Sequence, residues 1–133
     1  MTTLGATHRD QLTQIFGDRI VFDPTERRLY GHDIGEMPRL IKPLVGKTIP
    51  EGVVQPSSEA ELSYLASWAR SANVALTPRG KATSGYGGVM PVKGGLVVDF
   101  WRMRDVLEID EEAKTVRVQP GISWEHLDMA LAK

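Results

Sequence analysis

The chain contains no cysteine among its 133 residues. Its own side chains therefore form no disulfide, no thiolate zinc site and no iron–sulfur cluster. That composition suits a reducing compartment, and the cytoplasm is the expected location. Charge of neither sign dominates, with 16 Lys and Arg against 17 Asp and Glu for a net charge of -1. No basic stripe alternates with aromatics, so nucleic acid is not expected as a partner, because phosphate-backbone binding needs concentrated Lys and Arg. No apolar run approaches the roughly 20 residues of a membrane span. Met1 to Asp10 also lacks the basic start and apolar centre of a signal peptide. The three histidines, His8, His32 and His126, are too scattered to pair at helical spacing, and no metal site is expected.

The size suits one domain, which buries roughly two-thirds of its unfolded surface. Thr7 is placed to cap a short helix carrying Leu12, Ile15 and Phe16, stopped by Gly17. Asp23-Pro24 supplies the N-cap and first position of a second helix running through Leu29 and Tyr30 to Gly31. Gly35 to Pro50, with three prolines and no period, reads as an extended connector. Val53-Val54-Gln55 reads as a short strand closed by Pro56. Ser58 and Glu61 form a capping-box pattern for a helix with Leu62, Leu65, Ala66, Ala69 and Ala72 on one face, and Asn73 suits its left-handed stop.

Two further strands are predicted, Val74-Ala75-Leu76-Thr77 and Gly95 to Asp99. A hairpin pairs Val106–Ile109 with Thr115–Gln119 across the polar turn Asp110 to Lys114. Pro120-Gly121 then breaks the strand, and Ser123 caps a last helix through Leu131. Strand, helix and strand in succession imply parallel central neighbours, with the hairpin adding antiparallel ones. The predicted class is α+β, a small mixed parallel and antiparallel sheet with flanking helices. The last helix lacks a C-terminal cap, which reads as a cut.

The most informative segment lies between Gly80 and Gly95, which holds six of the 13 glycines. Its run Pro78-Arg79-Gly80-Lys81-Ala82-Thr83-Ser84-Gly85-Tyr86-Gly87-Gly88 follows a predicted strand. One reading is a long turn in which glycine satisfies backbone geometry. The other is a phosphate cradle, with the amides of Gly80 to Ser84 facing an anion and two hydroxyls and two cations nearby. Each bond to a charged oxygen contributes about 1.5–3 kcal/mol, so four or five suffice for a diphosphate. Gly46-Lys47-Thr48 is not the end of a Walker loop, because Ile41 stands where its first glycine belongs and Pro50 follows closely. Gly85-Tyr86-Gly87 does not extend to a dinucleotide fingerprint, since Met90 holds the last position. Trp68, Trp101 and Trp124 read as packing residues, Asp110-Glu111-Glu112 as a solvated turn. No nucleophile–base pair stands out.

From Gly52 to Leu131 the chain resembles the amino-terminal lobe of the FAD-linked oxidases, typified by vanillyl-alcohol oxidase and p-cresol methylhydroxylase. It is also similar to the glycolate oxidase flavin subunit and the D-lactate dehydrogenases. The likeness rests on Val53-Val54-Gln55-Pro56 with its following helix, on Pro78-Arg79-Gly80 through Gly87-Gly88 and Pro91, and on Gly95-Leu96-Val97-Val98-Asp99 with Arg102-Met103 and Leu107 to Asp110. Val116 to Ile122, with its Pro120-Gly121 turn, completes it. Upstream, Leu29-Tyr30 and Asp33 look like the usual lead-in.

The resemblance implies a helical lead-in and connector over 1–51 and a partial FAD-binding domain over 52–133, truncated at its C-terminal end. It implies an FAD site drawn from Pro78, Arg79, Gly80, Lys81, Ala82, Thr83, Ser84, Tyr86, Gly87, Pro120, Gly121 and Ile122. Thr83 stands near the position of the flavin-linking histidine of some members, so FAD is expected to bind non-covalently. Lys81 and Ala82 replace positions that are often glycine, and Arg104 one that is often asparagine. Tyr86 faces substrate in the phenol-oxidising branch, but a packing role is expected for it here. No catalytic residue is assigned, because the family handles flavin ring and substrate largely in segments outside this one. The implied function is the FAD-binding lobe of an oxidoreductase acting on a small hydroxy acid or alcohol. The rest of that enzyme or an iron–sulfur electron-transfer protein is its expected partner. The rival is a non-catalytic remnant that keeps the fold as a protein-association module.

Overall fold

A computed structural model describes residues 4–35, 40, 42–46 and 48–132. The first helix, α1 (Ala6–Phe16), starts two residues earlier than a Thr7 cap would place it: Gly5 is the N-cap, and no side chain caps it. Leu12 and Phe16 are buried, and Gly17 ends the helix as predicted. A single 3-10 turn, Gly17–Arg19, leads to the two-residue strand β1 (Ile20–Val21). Helix α2 (Pro24–Leu29) opens on Asp23, whose carboxylate accepts the amides of Thr25 and Glu26. The predicted extended connector contains one helical turn, α3 (Lys42–Val45), with proline near its start, where the missing N–H costs nothing. Residues 36–39, 41 and 47 of that connector lie outside the described residues.

Strand β2 (Gly52–Val54) precedes the longest helix, α4 (Glu59–Ala72). Ser58 Oγ accepts the Glu61 amide, and Asn73 stops the helix at φ 54°. The capping box is not closed on itself, because the Glu61 carboxylate accepts the Ser57 amide and Arg19 instead. Strand β3 (Leu76–Arg79) begins two residues later than predicted and runs through Pro78. Proline is tolerated because β3 is an edge strand. Strand β4 (Leu96–Asp99) sits inside the sheet and is buried throughout.

The sheet order is β1-β2-β4-β3, with β2, β4 and β3 parallel and β1 antiparallel. The hairpin of β5 (Val106–Asp110) and β6 (Thr115–Val118) forms a separate two-stranded sheet and does not extend the first. Thus β1, which no sequence pattern announced, supplies the antiparallel member of the main sheet. Helix α5 (Trp124–Leu131) follows, capped by Ser123. One core joins Leu12, Phe16 and Ile20 to Val54, Leu65, Val74, Leu96 and Val98, so the lead-in and the glycine-loop half share it. Burial of each such side chain stabilises the fold by about 1.5–3 kcal/mol. Trp68 packs against this core, but Trp101 is half-exposed and Trp124 projects, so neither is the packing residue expected. Among the described residues, no helix is long and apolar enough to cross a membrane and no acid–histidine cluster could hold a metal.

Candidate cofactor-binding site

Strands β3 and β4 run parallel with Arg79 opposite Asp99, so both leave the sheet at one edge. In open α/β sheets the carboxyl ends of parallel strands are where ligands lie. The glycine loop starts here, and so does the 3-10 turn Phe100–Arg102. The Pro120–Ile122 turn reaches the same edge from far along the chain. A Cβ on Gly80 would stand 3.8 Å from the Pro120 carbonyl oxygen. The Gly121 amide donates to the Met103 carbonyl at 2.7 Å, and a Cβ on Gly121 would collide with the Phe100 carbonyl. Only glycine allows that approach. The two groups of predicted site residues are thereby brought together.

The loop curls at Ala82, which adopts φ 56° with its methyl group buried. Its carbonyl accepts the Ile34 amide at 3.2 Å. Among the described residues, the amides of Lys81, Ala82, Thr83 and Ser84 donate to no protein acceptor. Consecutive unpaired N–H groups on a curled backbone make a concavity for an anion. Of the two expected hydroxyls, that of Ser84 is committed to Asp33 at 3.3 Å, while Thr83 is exposed. Of the two expected cations, Arg79 donates to the His32 carbonyl at 2.8 Å and lies 5.2 Å from the Tyr30 ring centre. Lys81 instead stacks on Trp101. Tyr86 is 96% exposed, so it does not pack against the described residues as predicted.

Sequence reasoning passed over the residue that braces the loop. Asp33 is buried, and its carboxylate accepts the amides of Gly87 at 2.7 Å and Gly35 at 2.9 Å besides the Ser84 hydroxyl. The Gly87 N–H, and then those lesser donors, hold its carboxyl below the usual range despite desolvation. Gly35 itself lies so close to Gly85 that a Cβ would strike its carbonyl. Its sequence signal is an acid shortly after Tyr30, within the lead-in that the family resemblance marks.

A second buried acid, Asp99, organises the sheet edge beneath. It accepts the Tyr30 hydroxyl at 3.0 Å, the Gln55 amide at 2.8 Å and the Trp101 backbone at 3.1 Å. Burial, reinforced by the Asp99 charge, pushes the Tyr30 phenol up. Arg102 donates to Gln55 in turn at 3.2 Å. A cleft of about 530 Å³ lies between the hairpin and α5, and one of about 210 Å³ beside Arg19, Tyr30 and Gln55. Neither of these two clefts is lined by the glycine loop.

A curled row of amides without a protein acceptor among the described residues thus lies at the carboxyl edge of a parallel sheet, closed by a Pro-Gly turn. The chain belongs to the FAD binding domain family, which residues 50–133 match, and FAD is its cofactor. It is 35% identical over 115 residues to the glycolate oxidase subunit GlcD of Bacillus subtilis (strain 168), a match covering 86% of this chain and 23% of that protein. It is 32% identical over 118 residues to the mitochondrial D-lactate dehydrogenase (cytochrome) of Arabidopsis thaliana, covering 89% of this chain and 20% of that one. A solved structure of alkyldihydroxyacetonephosphate synthase superposes with a TM-score of 0.81 at 26% identity, over 97% of this chain and 27% of its own. The chain thus spans about a quarter or less of the curated relatives it matches.

Proposed function

We propose that the chain is the diphosphate-gripping lobe of a flavin-dependent oxidoreductase that oxidises a small hydroxy acid or alcohol. The observation that carries this is the row of unpaired amides from Lys81 to Ser84 beside the Gly80–Pro120 contact. Within that lobe the backbone of Gly80 to Ser84 binds the FAD diphosphate, and Pro120 to Ile122 border it. FAD supplies the redox chemistry, while the protein positions it. The names of the relatives, a glycolate oxidase subunit and a D-lactate dehydrogenase, support the hydroxy-acid class. FAD is held without a covalent bond, since Thr83 offers no histidine-type linkage. Further parts of the enzyme bind substrate and pass electrons to oxygen, a quinone or an iron–sulfur protein in the cytoplasm. Any cluster is ligated elsewhere, because this sequence has no cysteine.

Titration of the chain with FAD, followed by flavin fluorescence and melting temperature, tests the reading. Saturable binding with a raised melting temperature is expected. No change in either signal at millimolar FAD would overturn it for this lobe alone.

A further inference from the structure

We infer that Lys81 and Arg104, both seated on the Trp101 ring, form a two-charge clamp for the diphosphate group of the ligand. Lys81 Nζ lies 4.0 Å and Arg104 Cζ 4.9 Å from the indole centre. Trp101 is half-exposed, and its backbone is fixed by the buried Asp99. Cation–π attraction holds each charge on the ring. Yet two like charges on one ring repel each other, and among the described residues neither belongs to an ion pair. The ion pairs among the described residues are Arg19–Glu61 and Arg117–Glu108. An anion received between or beside the two cations offsets that repulsion.

The neighbouring backbone says where that anion sits. Lys81 is the first residue of the unpaired amide run, so an anion at Lys81 to Ser84 meets main-chain donors and both cations. A diphosphate carries the two charges that match two cations, while a lone carboxylate carries one. The inference rests on the FAD reading above and adds side chains to a site otherwise built of backbone. Arg79, committed to His32, takes no part.

Calorimetric titrations with inorganic diphosphate, FAD and riboflavin at about 50 and 300 mM salt decide it. Diphosphate and FAD are expected to bind the wild-type chain more weakly at high salt, with riboflavin weaker than FAD. Lys81→Gln and Arg104→Gln should each weaken FAD about tenfold, and the double variant should flatten the salt dependence. Melting temperatures should hold, since both side chains are exposed. If the wild type binds FAD but neither substitution nor added diphosphate affects it, the clamp is wrong and the FAD reading stands. If diphosphate binds through the two cations and FAD does not, the clamp stands and the FAD reading falls. If neither binds, both fall.

Discussion

The carboxylate of Asp33 receives the backbone amide of Gly87 at 2.7 Å, across 54 positions of sequence. This bond, with those from Ser84 and Gly35, holds the far limb of the glycine loop against the lead-in. The Ile34 amide secures the near limb through the Ala82 carbonyl. The segment 33–35 is therefore a template on which the loop is shaped before ligand arrives.

All three partners of the Asp33 side chain are donors, which makes asparagine a poor substitute. Its amide nitrogen would face at least one N–H or O–H with nothing to accept. Asp33→Asn is expected to weaken FAD binding roughly ten- to hundredfold, about as much as Asp33→Ala, because the loop is no longer preorganised. Equilibrium titration of both variants checks this. Near-wild-type affinity for the asparagine variant would show that charge and acceptor geometry at this position are irrelevant.

Ala82 holds φ 56°, a region where a Cβ costs about 1–2 kcal/mol. Glycine relieves that strain but loses the buried methyl group and adds unfolded-state freedom. Ala82→Gly should therefore leave stability within about 0.5 kcal/mol of wild type, while Ala82→Val, branched at Cβ, should cost about 2 kcal/mol or more. Denaturant unfolding of the two variants measures the difference. Equal stability would mean the residue is not left-handed in solution.

Much of this architecture is legible in local chemistry. Asp23-Pro24, Ser58 with the Glu61 amide, Asn73 and Pro120-Gly121 each act within a few residues, and each stands where the pattern places it. The parallel pairing of β2, β4 and β3 follows from a helix between strands. What escapes is set by distance. Ile20–Val21 is too short to show a period, and only its pairing with Val53 and Val54 makes it a strand. Pro78 and Arg79 extend β3 because the edge position forgives the missing N–H. The glycines mark the loop run, but its brace at Asp33 and its ring at Trp101 come from other segments and leave no trace within it.

Gly121 joins the Pro-Gly turn to the end of β4 without room for a side chain. Gly121→Ala must displace the Phe100 or Met103 carbonyl, and rigid backbone yields poorly. A loss of about 1–3 kcal/mol is expected, as for other overpacked sites. Since Gly80 faces Pro120, the same substitution should also weaken FAD binding. Gly80→Ala is the control: its Cβ meets nothing nearer than 3.8 Å, so its stability should be little changed. Thermal melts of the pair, with and without FAD, separate the two effects. Identical melting temperatures for both variants would refute the close approach.

Arg19 and Glu61 tie the lead-in to the first turn of α4, with Nη2 and Oε1 2.7 Å apart. The Arg19 hydrogen bond, helped by the Ser57 amide, lowers the Glu61 carboxyl to about 2 against desolvation. A carboxylate depressed in the folded state stabilises it fully above its ordinary value near 4.5, and that contribution is lost as pH falls toward 2. Arg19 stays charged throughout, so Glu61 alone sets the window. Because both side chains keep some solvent contact, the contribution is about 1–2 kcal/mol, well short of the full shift. The melting temperature of the wild type should drop more steeply between about pH 5 and 2 than that of Glu61→Gln, which lacks the titrating group. The two curves should converge at the acid end, where the wild-type carboxyl is protonated too. Parallel curves across the whole range would place the stabilising charge elsewhere.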